Sequence, residues 1–315
     1  MPGSPMEGAR TFPLCDCCTK TAIYYNPHSG IHFCEDHLTR SVEERVLETI
    51  RENHLVRDGD LVAVGLSGGK DSSVLLSILC KVIPGEWDAG IVAITVDEGI
   101  AGYREETLRS AIRLVKELGV PHSITTFRAR FGRDLDSIMK IAGMRPCTAC
   151  GILRKKALFL MAREASATCI ATGHNLDDAA QSVLMNYFRA DLVRLVRDTT
   201  TGGKPGFLRR IKPLSGITEK EITLYSFIHG ITGVLPECPY ATTSFRAEVR
   251  SLQAAIEFQY PGSSLGLVRG QESIRAVLAG HMKKDPLLPC TMCGDPCSGG
   301  LCQACRLLGR LPEQP

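Results

Sequence analysis

A doubly wound α/β fold built on a parallel sheet is the architecture this sequence predicts, and three features carry the prediction. Short apolar runs, 61–66 and 91–96 among them, alternate with amphipathic stretches of helical period. That alternation is how a parallel sheet covered by helices on both faces reads in sequence. A glycine-rich turn, Ser67-Gly68-Gly69-Lys70-Asp71-Ser72, follows the first run and opens the next helical stretch, the place where such folds hold phosphate. Pairs of cysteines stand near both ends, in stretches too poor in apolar residues to bury a core. Metal-held modules are therefore expected to flank the sheet.

The elements follow in chain order. Residues 1–11 are expected to be disordered, and 12–40 to form an N-terminal zinc finger. Ser41 reads as a helix cap, with Glu43 and Glu44 in the first turn of a helix to about Asn53. Leu61–Leu66 is a buried strand, followed by the glycine turn and a helix over 71–82. A strand over 91–96 ends in Asp97; a helix over 105–118 and a strand over 122–127 come next. Further on stand a helix over 150–164, a strand over 168–172 and a helix opening at Asp177-Asp178. The stretch 198–213, rich in Thr, Gly and basic residues, reads as a mobile surface loop, and 219–282 as mostly helical. A Pro-containing step at 285–289 sets a boundary. The expected domains are the finger 12–40, a catalytic domain 41–285 and a C-terminal zinc ribbon 286–315.

Composition narrows the function classes. The chain has 315 residues, 44% hydrophobic and 23% charged, which is ordinary for a soluble globular protein. No run is apolar enough to span a bilayer, and Met1–Arg10 lacks the apolar centre of a secretory signal. The 14 cysteines include Cys-x-x-Cys pairs, which without a secretory signal point to metal or redox chemistry in the cytoplasm, not to a disulfide framework. A net charge of +3 decides little, but basic residues gather locally at 154–156, 209–212 and 283–284. Each run alone reads as a solvated face; a nucleic-acid role needs support from elsewhere.

The glycine turn is not a Walker loop, because Lys70 is followed by Asp71 and not by Ser or Thr. Its glycines let the backbone approach an anion. Ser67 and Ser72 can donate hydroxyls, and Lys70 supplies positive charge. A carboxylate beside phosphate repels unless it holds Mg²⁺, so Asp71 is read as metal-linked. These residues resemble the PP-loop of the adenine nucleotide α-hydrolase-like ATP pyrophosphatases. The resemblance implies that ATP is cut between its α and β phosphates and that AMP passes to a carbonyl oxygen.

Pro146-Cys147-Thr148-Ala149-Cys150-Gly151 runs into Arg154-Lys155-Lys156. A helix N-terminus with cationic neighbours is expected to lower thiol pKa and favour thiolates. Two thiolates are too few for a closed zinc site; a structural zinc half-site is the lesser, alternative reading of the pair. A third stands in Glu237-Cys238-Pro239-Tyr240, while Gly173-His174-Asn175-Leu176-Asp177-Asp178 occupies the carboxyl end of a strand. Together with the PP-loop, these motifs resemble the tRNA 2-thiouridine synthetases, a family that includes the cytoplasmic tRNA 2-thiolation protein 1 type, and the likeness runs almost the whole chain. The resemblance implies that Cys147, Cys150 and Cys238 hold a [4Fe–4S] cluster with one iron left open. It also implies that Gly65, Leu66, Ser67, Gly68, Gly69, Asp71 and Ser72 line the ATP site, and that Val96 and Gly173 lie near adenosine. Asp178 and Arg154 would reach the reacting end, with Lys70 beside them. Arginine does not readily give up its proton, so Arg154 is expected to stabilise charge.

Cys15-x-x-Cys18 with Cys34-x-x-His37, and Cys290-x-x-Cys293 with Cys302-x-x-Cys305, have the spacing of structural zinc sites. Each would contribute on the order of 10–16 kcal/mol as an apparent value. Cys17 and Cys297 are left over: Cys17 could replace Cys18, and Cys297 could compete for metal. A redox dithiol is the other reading. The expected function is ATP-dependent conversion of a tRNA uridine to 2-thiouridine, with sulfide or a ubiquitin-like thiocarboxylate protein as sulfur donor and a homodimer or partner subunit allowed. The alternatives are 2-thiocytidine or lysidine synthesis and a non-catalytic zinc-ribbon RNA-binding subunit.

Overall fold

The structure, a computed structural model, describes residues 13–143, 145–196, 208–231, 238–241, 244–278 and 288–311. The expected disordered start, most of the expected loop over 198–213, Glu237, Lys283-Lys284 and the start of the step at 285–289 lie outside them.

The finger opens with a hairpin, β1 (Tyr24–Asn26) and β2 (Ile31–Phe33), and leads into α1 (Glu35–Glu52). This helix begins six residues before the Ser41 cap expected from sequence, so residues 40 and 41 lie inside it. Its cap is Cys34, with Glu35 and Asp36 in the first turn, and its buried stripe Leu38, Val42, Val46 and Ile50 keeps one spacing throughout. The cysteine–histidine half-site thus forms the first helical turn, continuous with the helix that packs on the sheet.

The central layer has five parallel strands: β3 (Leu61–Gly65), β4 (Gly90–Asp97), β5 (His122–Thr126), β6 (Cys169–Ala171) and β7 (Arg209–Ile211), in the spatial order β5-β4-β3-β6-β7. Alternation along each strand feeds two cores. Val62 and Val64 join the one beneath α1, α2 (Lys70–Val82), α3 (Arg104–Leu118) and α9 (Glu219–Ile228). Ala63 and Ile170 join the other, with Ile138, Leu153, Met161, Ala304 and Leu307. That second face carries α4 (Phe127–Phe131), α5 (Leu135–Ala142), α6 (Pro146–Glu164) and α12 (Gln303–Leu308). Helices α7 (Leu176–Phe188), α8 (Leu192–Val196), α10 (Phe245–Gln259) and α11 (Ser263–Leu278) pack against one another. A short hairpin, β8 (Leu288–Pro289) and β9 (Pro296–Cys297), belongs to the C-terminal ribbon. No described helix is long and apolar enough to cross a membrane.

Three differences from the sequence reading have local causes. Arg209–Ile211 is a strand where a loop is expected, because Ile211 is buried and Arg209 pairs with Asp60 at 2.5 Å. Two consecutive arginines hide that strand from any hydropathy pattern. Helix α6 begins at Pro146, four residues early, because proline at the first helical position is favourable. The short helix α5 escapes notice, although Asp134 caps it by accepting a hydrogen bond from Ser137 N at 2.8 Å.

The chain enters the sheet at its centre, moves outward through β4 and β5, and returns on the other side for β6 and β7. Connections therefore diverge between β3 and β6, and the crevice at the carboxyl ends of those two strands is where such sheets bind ligands.

Candidate active site

The glycine turn and the 173–178 segment meet in that crevice. Gly68 has φ +84°, and a Cβ there would lie 1.9 Å from the Thr107 carbonyl oxygen, so only glycine lets this turn pack on α3. Gly173 is equally constrained: its Cβ would sit 2.8 Å from backbone atoms of Asp71 and Ser72. Gly69 caps α2, whose first N–H groups point into the crevice. Ser67 and Ser72 bond each other at 3.0 Å, and Ser67 Oγ accepts from Gly69 N at 3.2 Å. Gly65 backs onto Leu158 of α6; Leu66 and Val96 are buried. Gly68→Ala is expected to raise the ATP Kd about five- to thirtyfold, the equivalent of about 1–2 kcal/mol of left-handed strain, as read by calorimetry.

Three carboxylates, Asp71, Asp178 and Glu219, and a lysine close this end. Lys70 Nζ lies 2.7 Å from Glu219 and 3.3 Å from Asp71. Burial pushes the Asp71 carboxyl up, Lys70 opposes this, and Glu219 and Asp178 add to it. Asn175 ties Asp71 to Asp178: its Nδ2 donates to Asp71 Oδ1 at 3.2 Å, and its Oδ1 accepts from Asp178 N at 2.9 Å. Asp178 completes a capping box at the start of α7 and meets Arg246 at 3.4 Å.

The central cysteines lie at the same edge, because α6 runs antiparallel to the strands. Leu158 covers Gly65, and two turns nearer the helix start Cys150 is buried. Exposed Cys147 donates to Tyr240 O at 3.3 Å, and Tyr240 anchors its turn on Asp136 at 2.8 Å. Cys238 is an electrostatic neighbour of both thiols and packs against this core. The expected lowering of thiol pKa is not what the structure gives. Burial pushes Cys147 up and Cys150 up to about 11, outweighing the nearby Arg154.

Sequence reading missed two residues here. Glu98 and Arg104 are almost wholly buried and pair at 2.9 Å. Arg104 donates to Ser67 O at 2.9 Å and to Val96 O at 2.7 Å, while Glu98 meets Arg154 Nε at 2.5 Å. Arg154 in turn donates to Cys150 Sγ at 3.1 Å. An unbroken chain of charged contacts thus runs from the glycine turn to the cysteines. Burial works against the charge of Arg154, but Glu98 overrides it and holds the guanidinium above its usual range, which suits charge stabilisation. An acid following a strand and preceding Gly99, at φ +70°, was the available signal.

The terminal ligand sets are assembled. Cys15, Cys18, Cys34 and His37 bring their ligand atoms within 4.8 Å of one another, as do Cys290, Cys293, Cys302 and Cys305. Among the described residues these are the only groups gathered so tightly, so Cys147, Cys150 and Cys238 stand wider apart than a single ion requires. Cys18, not Cys17, completes the first set, and Cys297 stays out of the second. Burial opposes ionisation of Cys15, but backbone N–H groups of Cys34 and Cys17 bring its thiol down to about 6; the Cys302 N–H leads the same effect at Cys290, also about 6. The ribbon is held to α6 by Asp295, which pairs with Lys156 and Arg163.

Comparison with known proteins agrees with this arrangement. The PP-loop domain profile matches residues 38–252, and that of the N-terminal LIM domain of the 2-thiouridine synthetase TtuA matches 14–39. The tRNA 2-thiolation protein NcsA of Haloferax volcanii is 34% identical over 93% of this chain and 98% of its own length. The cytoplasmic tRNA 2-thiolation protein 1 of Mus musculus is 38% identical over 95% of this chain and 73% of its own. The structure of the U34-tRNA thiolase NcsA from Methanococcus maripaludis with its [4Fe-4S] cluster superposes with a TM-score of 0.83 at 33% identity, covering 96% of this chain and 97% of that one. With a PP-loop profile spanning most of the chain and relatives aligned over more than nine-tenths of it, this protein belongs to the PP-loop family of tRNA 2-thiolation enzymes.

Proposed function

We propose that this chain is an ATP-dependent tRNA sulfurtransferase that converts uridine to 2-thiouridine, with U34 as the target by analogy with the Methanococcus thiolase. The observation that carries the reading is the shared edge: nucleotide turn and cysteine trio open on one crevice, joined by Arg104, Glu98 and Arg154. Gly68, Gly69 and the first N–H groups of α2 hold the ATP phosphates, with the hydroxyls of Ser67 and Ser72 turning toward them. Asp71 and Asp178 would hold Mg²⁺ on the pyrophosphate side, since a divalent cation relieves the repulsion between these linked carboxylates. Gly65, Leu66, Val96 and Gly173 form the adenosine side.

The chemistry balances in two displacements. The uridine O2 attacks the α-phosphorus, the bond to the β-phosphate oxygen breaks, and pyrophosphate leaves. A sulfur nucleophile then adds at C2, and the C2–O bond breaks with AMP carrying the oxygen away. Arg154, kept protonated by Glu98, stabilises the negative charge that develops. Cys147, Cys150 and Cys238 fit a [4Fe–4S] cluster better than a single ion because they stand apart and number three; held there, it supplies an open iron position for the sulfur donor. Sulfide or a protein thiocarboxylate can serve as that donor. The cytoplasm is the compartment we assign, on the names of the relatives and the free thiols.

The test is anaerobic reconstitution with unmodified tRNA, ATP, Mg²⁺ and sulfide. Formation of 2-thiouridine and AMP is expected. A cluster-loaded protein yielding neither overturns the reading, and thiocytidine or lysidine by mass spectrometry would assign a sister activity.

The terminal sets are read as structural zinc sites. Because Cys34 and His37 start α1, Cys18→Ser is expected to release zinc from the finger and loosen the first turns of that helix. Hydrogen exchange over 35–42 checks this; protection there should fall, while Cys17→Ser leaves it unchanged.

A further inference from the structure

The basic runs of the sequence are divided by the fold into two sets. Arg154, Lys156 and Arg209 are matched, by Glu98, Asp295 and Asp60. Lys155, Arg210 and Lys212 make no ion pair with any described residue, and the fold brings them to one place.

Register and helix phase locate them. In β7, Ile211 is buried, so Arg210 and Lys212 share the opposite side of the pleat. Ala171 pairs with Ile211 and Thr172 N donates to Ile211 O at 3.1 Å, which sets Lys212 beside Thr172 and the segment leading to His174. Arg246 of α10 reaches the same corner through Asp178, Gln181 and Ser182, at 3.4, 3.3 and 3.1 Å. Lys155 stands one helical turn nearer the cysteines than Leu158, which packs on Gly65, so it lies between the glycine turn and Cys150.

The electrostatics bear this out. Burial, then Arg210, Arg194 and Arg246, pulls Lys155 down; burial, then Arg210, brings Lys212 to about 8, with Asp178 opposing. Burial and the same cations bring His174 to about 3, leaving it neutral. The carboxylate of Asp178 acts on this group, and it already meets Arg246. Four cations held against a single paired carboxylate keep an excess of positive charge that suits an anion.

We propose that Lys155, Arg210, Lys212 and Arg246 form a seat for RNA backbone phosphates that fixes the substrate strand beside the crevice. This rests on the reading of the chain as a tRNA-modifying enzyme and adds which residues grip the strand. Nucleotide phosphates are the competing anion, and two facts disfavour them. Strands β3 and β7 stand two spacings of about 4.8 Å apart, so Arg210 and Lys212 lie beside the glycine turn and not over it. The cations also come from three separate elements, a spread that matches successive phosphates of a polymer.

The experiment measures tRNA binding by the full-length, zinc-loaded protein across a salt series, and ATP binding by calorimetry, neither of which requires turnover. The triple variant Lys155→Gln, Arg210→Gln, Lys212→Gln should bind tRNA at least about tenfold more weakly and flatten the slope of log K against log salt by about 2, some 0.7–0.9 for each phosphate no longer neutralised. Its ATP Kd should stay within about twofold, well under the tenfold that 1.4 kcal/mol represents. A matched triple variant of the exposed residues Arg40, Arg113 and Lys116, each to Gln, should leave tRNA binding unchanged. The charge-retaining triple Lys155→Arg, Arg210→Lys, Lys212→Arg should restore the slope and controls for misfolding. An unchanged slope, an equal loss in the matched variant, or weakened ATP binding with intact tRNA binding would each overturn the seat. Intact tRNA binding without thiolation would count instead against the proposed activity.

Discussion

Cys147→Ala is expected to abolish 2-thiouridine formation while leaving the fold almost untouched. The thiol is exposed and its described polar contact is one hydrogen bond to Tyr240 O at 3.3 Å. Losing such a bond costs about 0.5–1.5 kcal/mol. No buried apolar surface goes with it. Catalytically the loss is of another order, because a trio reduced to a pair no longer has the ligands to hold a cluster with one open iron. Iron and acid-labile sulfide content after anaerobic reconstitution should collapse together with activity, while the circular dichroism spectrum stays unchanged. Cys17→Ala and Cys297→Ala provide the contrast, since both thiols lie outside every assembled ligand set. Full activity in Cys147→Ala, or equal losses in the two contrast variants, would remove the trio from the mechanism.

What could be read from sequence divides along physical lines. Strands β3, β4 and β6 announce themselves because both faces are buried, so nearly every residue is apolar. The glycine turn is legible because its chemistry is local: positive φ, backbone approach to an anion and a helix start all fall within six residues. The ligand sets are legible for the same reason, since spacing alone sets their geometry. Strand β7 was hidden because it carries two consecutive arginines, and the carboxylate that pairs with Arg209, Asp60, is far away in sequence. The start of α1 was misplaced because Ser41 looks like a cap and Cys34 does not, yet the helix begins directly after Cys34. Thiolate character at Cys147 and Cys150 was misjudged because dipole and cations can be read from sequence, whereas burial depends on the packed core. Glu98 and Arg104 were missed on the same ground. A buried ion pair shows in sequence as two ordinary surface residues, and only tertiary structure puts them in contact.

That pair carries the other large effect. Glu98→Gln keeps the shape of the side chain but removes its charge, leaving the almost wholly buried Arg104 without its carboxylate partner. Breaking such a pair from one side costs about 3–5 kcal/mol, because the remaining charge stays desolvated. Asp97, 3.7 Å from Arg104 Nε, recovers only part of this. Two functional consequences follow from where the contacts lead. Arg104 fixes the carbonyls of Ser67 and Val96, so loosening it should raise the KM for ATP. Glu98 also holds Arg154 beside Cys150, so kcat should fall as well, through misplacement of the charge that assists departure of AMP. Arg104→Lys should fail to substitute, because one ammonium cannot reach Ser67 O, Val96 O and Thr107 Oγ1 together while standing beside Glu98. Glu98→Asp tests position against charge: it retains the carboxylate but shortens its reach, and should recover stability more than kcat. Equal recovery of both would reduce the pair to a purely structural role, and an unchanged melting temperature with unchanged kcat and KM in Glu98→Gln would disconnect the glycine turn from the cysteines altogether.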